Sequence, residues 1–387
     1  MAHIRLASQA FHRPAEWARH ARTILAWPGS ETVHYKEFPG ALASATREVS
    51  AIADAVARFE PVTLVVERAR LEDARSRFAP GTTKHNVGLH PIDGKQLDLW
   101  MRDIAPTFTA RTRPNGPDSR AICGVDFNFN GWGNKFRTDT SVGLGTETCV
   151  GFARTLLQDL KIQRIESTVV TEGGAIEVDG EGTMIATESS IINDNRNPGM
   201  SREDIEAEFA RTLGIDRLIW VPGVKDVEVT DCHIDAFIRF VRPGVVLLSR
   251  PSAEETRNAA SVWVRAYKEA VDIISREKDA KGRSLEVIEI SEPDISEAVA
   301  DEEYLRAIEA SELPPPAFNY ANYLMVNGGL IFPQFGDKNS DATALATIQR
   351  LFEGEREIVT VSLQELPLMG GGIHCATQQI PSSPWVP

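Results

Sequence analysis

One supersecondary unit recurs along the chain and limits the folds that the chain can adopt. The unit is a pair of short β-type runs around a turn, then an amphipathic helix, then one further apolar strand. Its turns are marked by Asp179-Gly180, Pro243-Gly244 and Asn327-Gly328, which favour tight hairpins. A looser copy turns near Asn115-Gly116. Such units bury their faces against neighbouring copies, either in a line or closed into a ring.

An amphipathic helix is predicted after each hairpin. In "SREDIEAEFARTLG" we expect Ser201 as N-cap, Asp204 as its capping-box partner and Gly214 at the end. The other helices are predicted in "TETCVGFARTLLQDL", "SAEETRNAASVWVRAYKEAVDIISRE" and "SDATALATIQRLF", and the strands that follow in "RIESTVV", "RLIWVP", "LEVIEI" and "EIVTVSL". An earlier helix and strand, "ATREVSAIADAVARF" and "VTLVV", fit the scheme if residues 23–27 belong to the first hairpin. The unit therefore occurs about five times.

Composition narrows the class of protein. The chain has 387 residues, of which 42% are hydrophobic and 25% charged, as in an ordinary globular protein. Its net charge of −14 argues against a nucleic-acid partner. The N-terminus has no apolar signal region, and aliphatic runs such as Val245 to Leu248 are too short to span a bilayer. We expect a cytoplasmic protein with no membrane partner. Its length allows two domains or one large repetitive one.

Polar residues whose side chains can take part in a reaction recur at the unit boundaries. Asp103 precedes the first clear hairpin, Glu172 the second, and His233 and Asp235 the third, while Cys375 follows the last helix and strand. In a ring these boundaries lie at one end, so we expect the five side chains to converge on the axis. Each residue also has a structural explanation when taken alone: a buried cysteine, a core histidine or a surface ion pair.

These residue types together point to chemistry on a guanidinium group. A cysteine thiolate is a nucleophile, and a histidine can protonate a leaving amine and later activate water. Several carboxylates in one site repel one another unless a cation lies between them, and a planar guanidinium matches paired carboxylates. A zinc site made by His233, Asp235, His374 and Cys375 is a competing interpretation of the same residues.

The sequence resembles the agmatine deiminase / bacterial-type peptidylarginine deiminase family of the guanidine-modifying pentein superfamily. The matching stretches run in order through nearly the whole chain: "ILAWPGS", "WMRDIAPTF", "DFNFNGWGNKF", "TEGGAIEVDGEGTMIATESSIINDNRNP", "LGIDRLIWVPG", "TDCHIDAFIRFV", "VNGGLIFPQFGD" and "GGGIHCATQQIP". The resemblance implies an α/β fold, the five-bladed pentein propeller with pseudo-fivefold symmetry, which agrees with the repeats. We therefore expect a single catalytic domain over 1–387, with an insertion at about 291–316.

The resemblance also implies roles for individual residues. Cys375 attacks the guanidinium carbon, and His233 protonates the departing ammonia and then activates water. Asp103 and Asp235 hold the guanidinium nitrogens, while Glu172 hydrogen-bonds the substrate and orients the site. Trp100 lines the substrate channel. No metal or organic cofactor is needed, the partner is a small cationic guanidino compound, and members of the family often form homo-oligomers.

Three positions depart from the family pattern. Cys232 stands where the family usually has glycine, Gly372 where it usually has asparagine, and Glu177 where it often has histidine.

The expected activity is that of a hydrolase acting on the C–N bonds of linear amidines, with agmatine giving N-carbamoylputrescine and ammonia. Arginine, peptidyl-arginine or a methylated guanidine as substrate, an amidinotransferase, and a non-catalytic pentein binding protein are the alternatives.

Overall fold

The computed structural model describes residues 11–29, Tyr35, 40–79, Gly81, 83–112, 120–135, 146–299, 302–310 and 316–382. Within these ranges the strands are β1 Phe11–His12, β2 His20–Ala26, β3 Val62–Glu67, β4 Val87–Ile92, β5 Thr107–Thr112, β6 Arg120–Asp126, β7 Gln163–Glu166, β8 Ile176–Val178, β9 Thr183–Thr187, β10 Arg217–Val221, β11 Ile238–Arg242, β12 Val245–Arg250, β13 Glu286–Ser291, β14 Leu324–Val326, β15 Gly329–Gln334, β16 Glu357–Ser362 and β17 Gln378–Pro381.

The described helices alternate with these strands. They are α1 Ala41–Val56, α2 Leu71–Arg77, α3 Met101–Ile104, α4 Glu147–Asp159, α5 Glu188–Ile191, α6 Arg202–Leu213, α7 Ala253–Thr256, α8 Val262–Arg276, α9 Ile295–Ala298, α10 Glu302–Glu309, α11 Lys338–Leu351 and α12 Glu365–Leu368. Short 3-10 helices span Arg68–Arg70, Trp132–Asn134, Gly173–Ala175 and Ile234–Ala236. In the described part of the chain, each helix is too short or too polar to cross a bilayer.

Five sheets share one plan in the described part of the chain, as the repeat predicts. In each, an inner strand pairs antiparallel with a middle strand, which pairs parallel with an outer strand. The five sets are β5-β6-β7, β8-β9-β10, β11-β12-β13, β14-β15-β16 and β17-β2-β3. Strand β1 adds to the inner edge of the first set, and β4 to the outer edge of the last. The prediction of an α/β fold built from five like units is confirmed.

Burial shows which strands lie near the centre. Every residue of β8, β14 and β17 is buried, whereas the outer strands β13 and β16 are half exposed. Inner strands of different sheets touch, with β8 against β11 and β17 against β5. Helices fill the gaps between sheets: α1 packs on β2 and also on β15 and β16 of another sheet. The apolar core therefore lies between the sheets, and the inner strands surround a polar centre.

Two predicted elements differ from the structure. Of the predicted run 23–27, residues 23–26 belong to β2, whose antiparallel partner is not a neighbouring strand but β17, from the far end of the described chain. The predicted long helix at 252–277 is two helices, α7 and α8, because Ser252 and Ser261 each act as an N-cap and accept a backbone N–H bond. The turn predicted near Asn115-Gly116 lies outside the described residues. The capping box of Ser201 and Asp204 and the left-handed Gly214 at the end of α6 are confirmed.

Candidate active site

A polar side chain stands just before the start of each inner strand. Helix α3 carries Asp103 before β5, and a 3-10 helix follows Glu172 before β8. A second 3-10 helix begins directly after His233, carries Asp235 and precedes β11. The remaining two strands, β14 and β17, are preceded by Asn322 and Cys375. The five-fold plan of the sheets thus brings residues that are far apart in sequence to one end of the ring.

The thiol of Cys375 is half buried and has two polar neighbours. The Asn322 side-chain amide donates to Cys375 Sγ at 3.2 Å, and Asp235 Oδ2 lies 3.7 Å from the same sulfur. The backbone N–H of Cys375 donates back to Asn322 Oδ1 at 3.2 Å. Burial, followed by the carboxylates of Asp235 and Asp103, raises the pKa of the Cys375 thiol well above its ordinary value. In the protein alone Cys375 is therefore a thiol.

His233 lies between two carboxylates. Its Nε2 is 3.2 Å from Glu172 Oε2, and its Nδ1 is 3.6 Å from Asp103 Oδ2. Burial disfavours the charged imidazole, but the carboxylates of Asp103 and Glu172 outweigh it and raise the pKa of His233 to about 9. At neutral pH the ring is an imidazolium with protons to donate, which suits a general acid.

Glu172 is fixed from behind by Arg196. Arg196 Nε donates to both carboxylate oxygens, at 2.8 and 3.0 Å, and all of these side chains are buried. The guanidinium in turn donates to Asp231 Oδ2 at 2.8 Å, and Lys135 lies 2.6 Å from the other Asp231 oxygen. Burial opposes ionisation of Glu172, but Arg196 and His233 lower its pKa below the ordinary value. Glu172 is thus a fixed anion under the imidazolium of His233.

Asp103 is held by two donors. Trp132 Nε1 donates to its Oδ2 at 2.8 Å, and the backbone N–H of Gly174 donates to its Oδ1 at 2.9 Å. Trp132 has φ +53°, a left-handed conformation that is unusual for a bulky residue. Strain of this kind persists only where the surroundings enforce it, often at functional sites. Burial is the largest effect on Asp103 and raises its pKa.

Asp235 uses only one of its two oxygens within the protein. His374 Nδ1 lies 2.7 Å from Asp235 Oδ2, while Oδ1 is buried and finds no hydrogen-bond partner among the described residues. Burial opposes the charge, but His374 and then His233 hold the pKa of Asp235 below its ordinary value. An ionised, unpartnered oxygen in a buried site costs free energy unless a ligand supplies a donor.

Gly174 shows how closely the groups converge. A Cβ atom at this residue would lie 2.6 Å from His233 Nδ1, 2.8 Å from Asp103 Oδ1 and 3.3 Å from Asp235 Cγ. One point in space is therefore surrounded by the acid and both aspartates, and only glycine leaves it open. Three predicted site residues surround this point. Glu172 lies on the far side of His233, and the Cys375 thiol lies 3.7 Å from Asp235 Oδ2.

Trp100 and the glycine run lie around the thiol. The Trp100 ring covers the backbone of Gly371: a Cβ there would be 2.5 Å from the ring and 3.0 Å from Cys375 Cβ. A Cβ on Gly372 would lie 2.7 Å from Asn322 Oδ1. The departure from the family's usual asparagine at position 372 thus leaves the space that the Asn322 amide fills beside Cys375.

The other two departures lie away from the thiol. Cys232 has φ +70°, which explains why glycine is usual there, and its side chain packs in an apolar cluster with Val224 and Ala266. Burial raises the pKa of the Cys232 thiol, so it is a packing residue. Glu177 lies below the site, where its Oε2 accepts from Arg239 Nε at 3.1 Å and its Oε1 from a backbone N–H.

Sequence reasoning missed three contributors. Asn322 occupies the same place before β14 that the predicted residues occupy before other inner strands, so the repeat itself was the signal. Trp132 is by default a core aromatic, and only its indole N–H contact with Asp103 reveals its part. Arg196 carries no sequence signal that separates it from other arginines.

The zinc interpretation has no geometric support. Within the ranges that the structure describes, no group of three or more His, Cys, Asp or Glu side chains is arranged to hold a metal ion. Both ring nitrogens of His374 already lie against carboxylate oxygens, at 2.7 Å from Asp235 and 2.6 Å from Glu16. A zinc ligand needs one of these nitrogens free for the metal.

Known proteins are similar to this chain over almost its full length. The family described as Porphyromonas-type peptidyl-arginine deiminase matches residues 12–381. Agmatine deiminase of Ectopseudomonas mendocina is 38% identical over 382 residues, covering 97% of this chain and 96% of its own. Agmatine deiminase of Stutzerimonas stutzeri is 36% identical, covering 96% of both chains. The solved agmatine deiminase of Enterococcus faecalis superposes with a TM-score of 0.77 at 26% identity, covering 98% of this chain and 99% of its own. The chain therefore belongs to the Porphyromonas-type peptidyl-arginine deiminase family, with the pentein fold and with agmatine deiminases among its relatives.

Proposed function

We propose that this protein is an agmatine deiminase, a hydrolase of C–N bonds in linear amidines. It converts the guanidinium group of agmatine into a ureido group, giving N-carbamoylputrescine and ammonia. The observation that carries the proposal is the buried Asp235 carboxylate, whose Oδ2 lies 3.7 Å from the Cys375 sulfur and whose Oδ1 has no hydrogen-bond partner among the described residues. A planar cation with several N–H donors is the ligand that this oxygen lacks. The relatives named agmatine deiminase support agmatine as the particular guanidine.

Substrate binding uses two aspartates. Asp235 accepts a guanidinium N–H bond at Oδ1, and Asp103 accepts from another nitrogen on the opposite side of the point left open by Gly174. Glu172 contributes its remaining lone pair, since Arg196 and His233 use the others. Trp100 walls the substrate on the side of Gly371. The bound cation neutralises carboxylates that otherwise repel one another.

Binding also activates the nucleophile. Burial and, after it, the charges of Asp235 and Asp103 hold the pKa of the Cys375 thiol high in the protein alone. A guanidinium bound between them offsets their charge, so the thiol releases its proton to solvent and the thiolate forms when the substrate is present, while Asn322 donates to the sulfur. The thiolate attacks the guanidinium carbon and forms a C–S bond, giving a tetrahedral adduct.

His233 serves both halves of the reaction. As an imidazolium it gives a proton to the departing nitrogen, the C–N bond breaks, and ammonia leaves an amidino thioether on Cys375. The neutral imidazole then takes a proton from water, which adds to the same carbon. The C–S bond breaks, the thiolate leaves and the ureido product is released. Glu172 keeps the imidazole oriented throughout.

The test is ammonia release and ureido product measured from agmatine, arginine and a methylated guanidine, with Cys375→Ala as control. We expect turnover of agmatine, lost by at least about 1000-fold in the variant, with an unchanged thermal melt. Retention of activity in Cys375→Ala would contradict the proposal. Adding a primary amine as acceptor separates a hydrolase from an amidinotransferase, because only the latter would transfer the amidino group to the amine.

A further inference from the structure

A line of alternating acidic and basic side chains runs from the site into the centre of the ring. Its members are consecutive buried contacts: Asp235, His374, Glu16, Arg239 and Glu177. His374 lies 2.7 Å from Asp235 and 2.6 Å from Glu16. Arg239 then lies 3.0 Å from Glu16 and 3.1 Å from Glu177. Of these side chains, Asp235 lies 3.7 Å from the Cys375 sulfur, and the His374 side chain is linked to the site through its contact with Asp235. The His374 backbone N–H separately donates to Asn322 Oδ1 at 3.0 Å.

Glu16 ties separate parts of the ring to this line. It comes from the segment between β1 and β2, near the start of the described chain. Its Oε1 accepts from the backbone N–H of Met325 in β14 at 2.8 Å and faces Arg239 in β11. Its Oε2 faces His374, in the loop before β17, and lies 3.7 Å from Arg102 Nη2 in α3. Groups from four of the five units, in β11, in β14, before β17 and in α3 before β5, therefore meet on one carboxylate.

His374 decides which Asp235 oxygen faces the substrate. Both of its ring nitrogens lie against carboxylate oxygens, so the ring donates to both when it carries two protons. The donation to Oδ2 stops the Asp235 carboxylate from rotating and leaves Oδ1 open. A histidine donor held by a second carboxylate is a common way of fixing a ligand group.

We propose that His374 and Glu16 are positioning residues that orient Asp235 Oδ1 toward the guanidinium or amidinium group of the substrate. The inference rests on the proposed function only in that Asp235 holds a guanidinium or amidinium. It assigns a part in the site to the N-terminal segment, through Glu16, although that segment contributes no group that touches the thiol in the described contacts.

The test uses two alkylating agents that differ only in charge. 2-Chloroacetamidine carries an amidinium, and 2-chloroacetamide is neutral; each forms a C–S bond with Cys375 and releases chloride. We define the selectivity as the ratio of the two inactivation rates. Because both agents attack the same thiol, the ratio cancels changes in the amount of folded protein and in the reactivity of the thiol without a bound cation, and it retains the part that depends on holding the cation. The wild type should favour the amidinium.

Three variants separate positioning from general destabilisation. His374→Asn places an amide N–H near the former Nδ1, whereas His374→Gln places one near the former Nε2. We expect the selectivity to fall by about 10- to 100-fold in His374→Gln and by clearly less in His374→Asn. Glu16→Gln, which removes the charge that anchors His374, should lower it by about 10-fold. The matched control is Glu208→Gln, a buried glutamate of α6 bonded to Arg211 and Thr168, which should leave the selectivity unchanged.

Two results would overturn the inference: equal selectivity in all variants and the wild type, or an equal fall in His374→Asn and His374→Gln. The proposed function fails separately. A wild type that prefers the amidinium agent but releases no ammonia from agmatine would refute agmatine as substrate and leave the positioning of Asp235 to be decided by the variants.

Discussion

Gly174 is the residue on which the geometry of the site depends most directly. The space that its missing side chain leaves is the space on which His233, Asp103 and Asp235 converge. Its backbone N–H also holds Asp103 Oδ1 at 2.9 Å. A single added methyl group therefore tests the arrangement without altering any ionisable residue.

Gly174→Ala should lower kcat/KM for agmatine by about 100-fold or more, because the new Cβ displaces the acid and both carboxylates. We expect the fold to survive, with a loss of about 1–3 kcal/mol in the free energy of unfolding from overpacking. The matched control is Gly151→Ala in α4, where a Cβ meets nothing within 4 Å. That change should leave activity intact and stabilise the protein by about 0.5–1 kcal/mol. Equal activity in the two variants would contradict the role given to Gly174.

The pH dependence should report His233. Its pKa is about 9, raised from an ordinary 6.5, so the acid is protonated at neutral pH and lost above about 9. We expect kcat/KM to fall on the alkaline side near that value, since it reports groups of the free enzyme. The charge interaction also stabilises the fold fully below about 6.5, and that contribution disappears as the pH rises through about 9.

Glu172→Gln should move this alkaline limb to lower pH. The substitution removes one of the carboxylates that raise the pKa of His233, while burial, which lowers it, is unchanged. A pH profile of kcat/KM for the variant and the wild type measures the shift, with Glu208→Gln as a remote control. An alkaline limb that stays in place would assign it to a group other than His233.

The residues that sequence could predict are those whose type implies chemistry. A cysteine, a histidine and acidic residues at repeated boundaries are visible in the letters. Asn322 and Trp132 act through hydrogen bonds to Cys375 and Asp103, and neither residue type carries such a signal. The ionisation states could not be predicted either, because Cys375 and His233 are shifted by neighbours brought close only by the fold.

At the scale of elements, the sequence predicted a helix end correctly where the capping residues lie within one turn of each other. The capping box of α6 was predictable because Ser201 and Asp204 satisfy each other's backbone within one turn. The long helix predicted at 252–277 was wrong because Ser252 and Ser261 both compete as caps. Periodicity alone cannot choose between one helix and two. It also cannot show strand β4, which depends on its parallel pairing with β3.

Ser201→Ala should test whether the outer helices matter only for stability. The variant removes the side-chain bond to the Asp204 N–H and should cost about 1 kcal/mol of the free energy of unfolding. Because α6 lies outside the inner strands, kcat/KM should stay at the wild-type value. Denaturant unfolding and agmatine turnover, measured side by side, check both parts. A loss of turnover without a change in stability would link this helix to the site.

At the scale of the molecule, strands from near the two ends of the described chain pair with each other and close the ring of sheets. The middle strand β2 pairs parallel with β3, but its inner partner β17 comes from the end of the described chain. Sequence repeats predicted five like units yet could not show this, because a strand without a local hairpin partner has no turn signal. Cys375 lies in the segment leading into β17, so closing the ring also delivers the nucleophile.

Removing β17 should therefore abolish fold and activity together. A chain shortened after Thr377 keeps Cys375 but exposes the edge of β2 and loses Gln378, which bonds Arg102 Nη1 at 2.6 Å and the Pro106 carbonyl at 2.8 Å. We expect it to lose its cooperative melt and all agmatine turnover, because the innermost strand of one sheet is missing. A control chain shortened after Ser382 keeps every residue of β17, including the Ser382 N–H bond to the Arg19 carbonyl, and should retain both. A chain ending at Thr377 that melted and turned over agmatine like the control would show that four inner strands suffice to hold Cys375 in place.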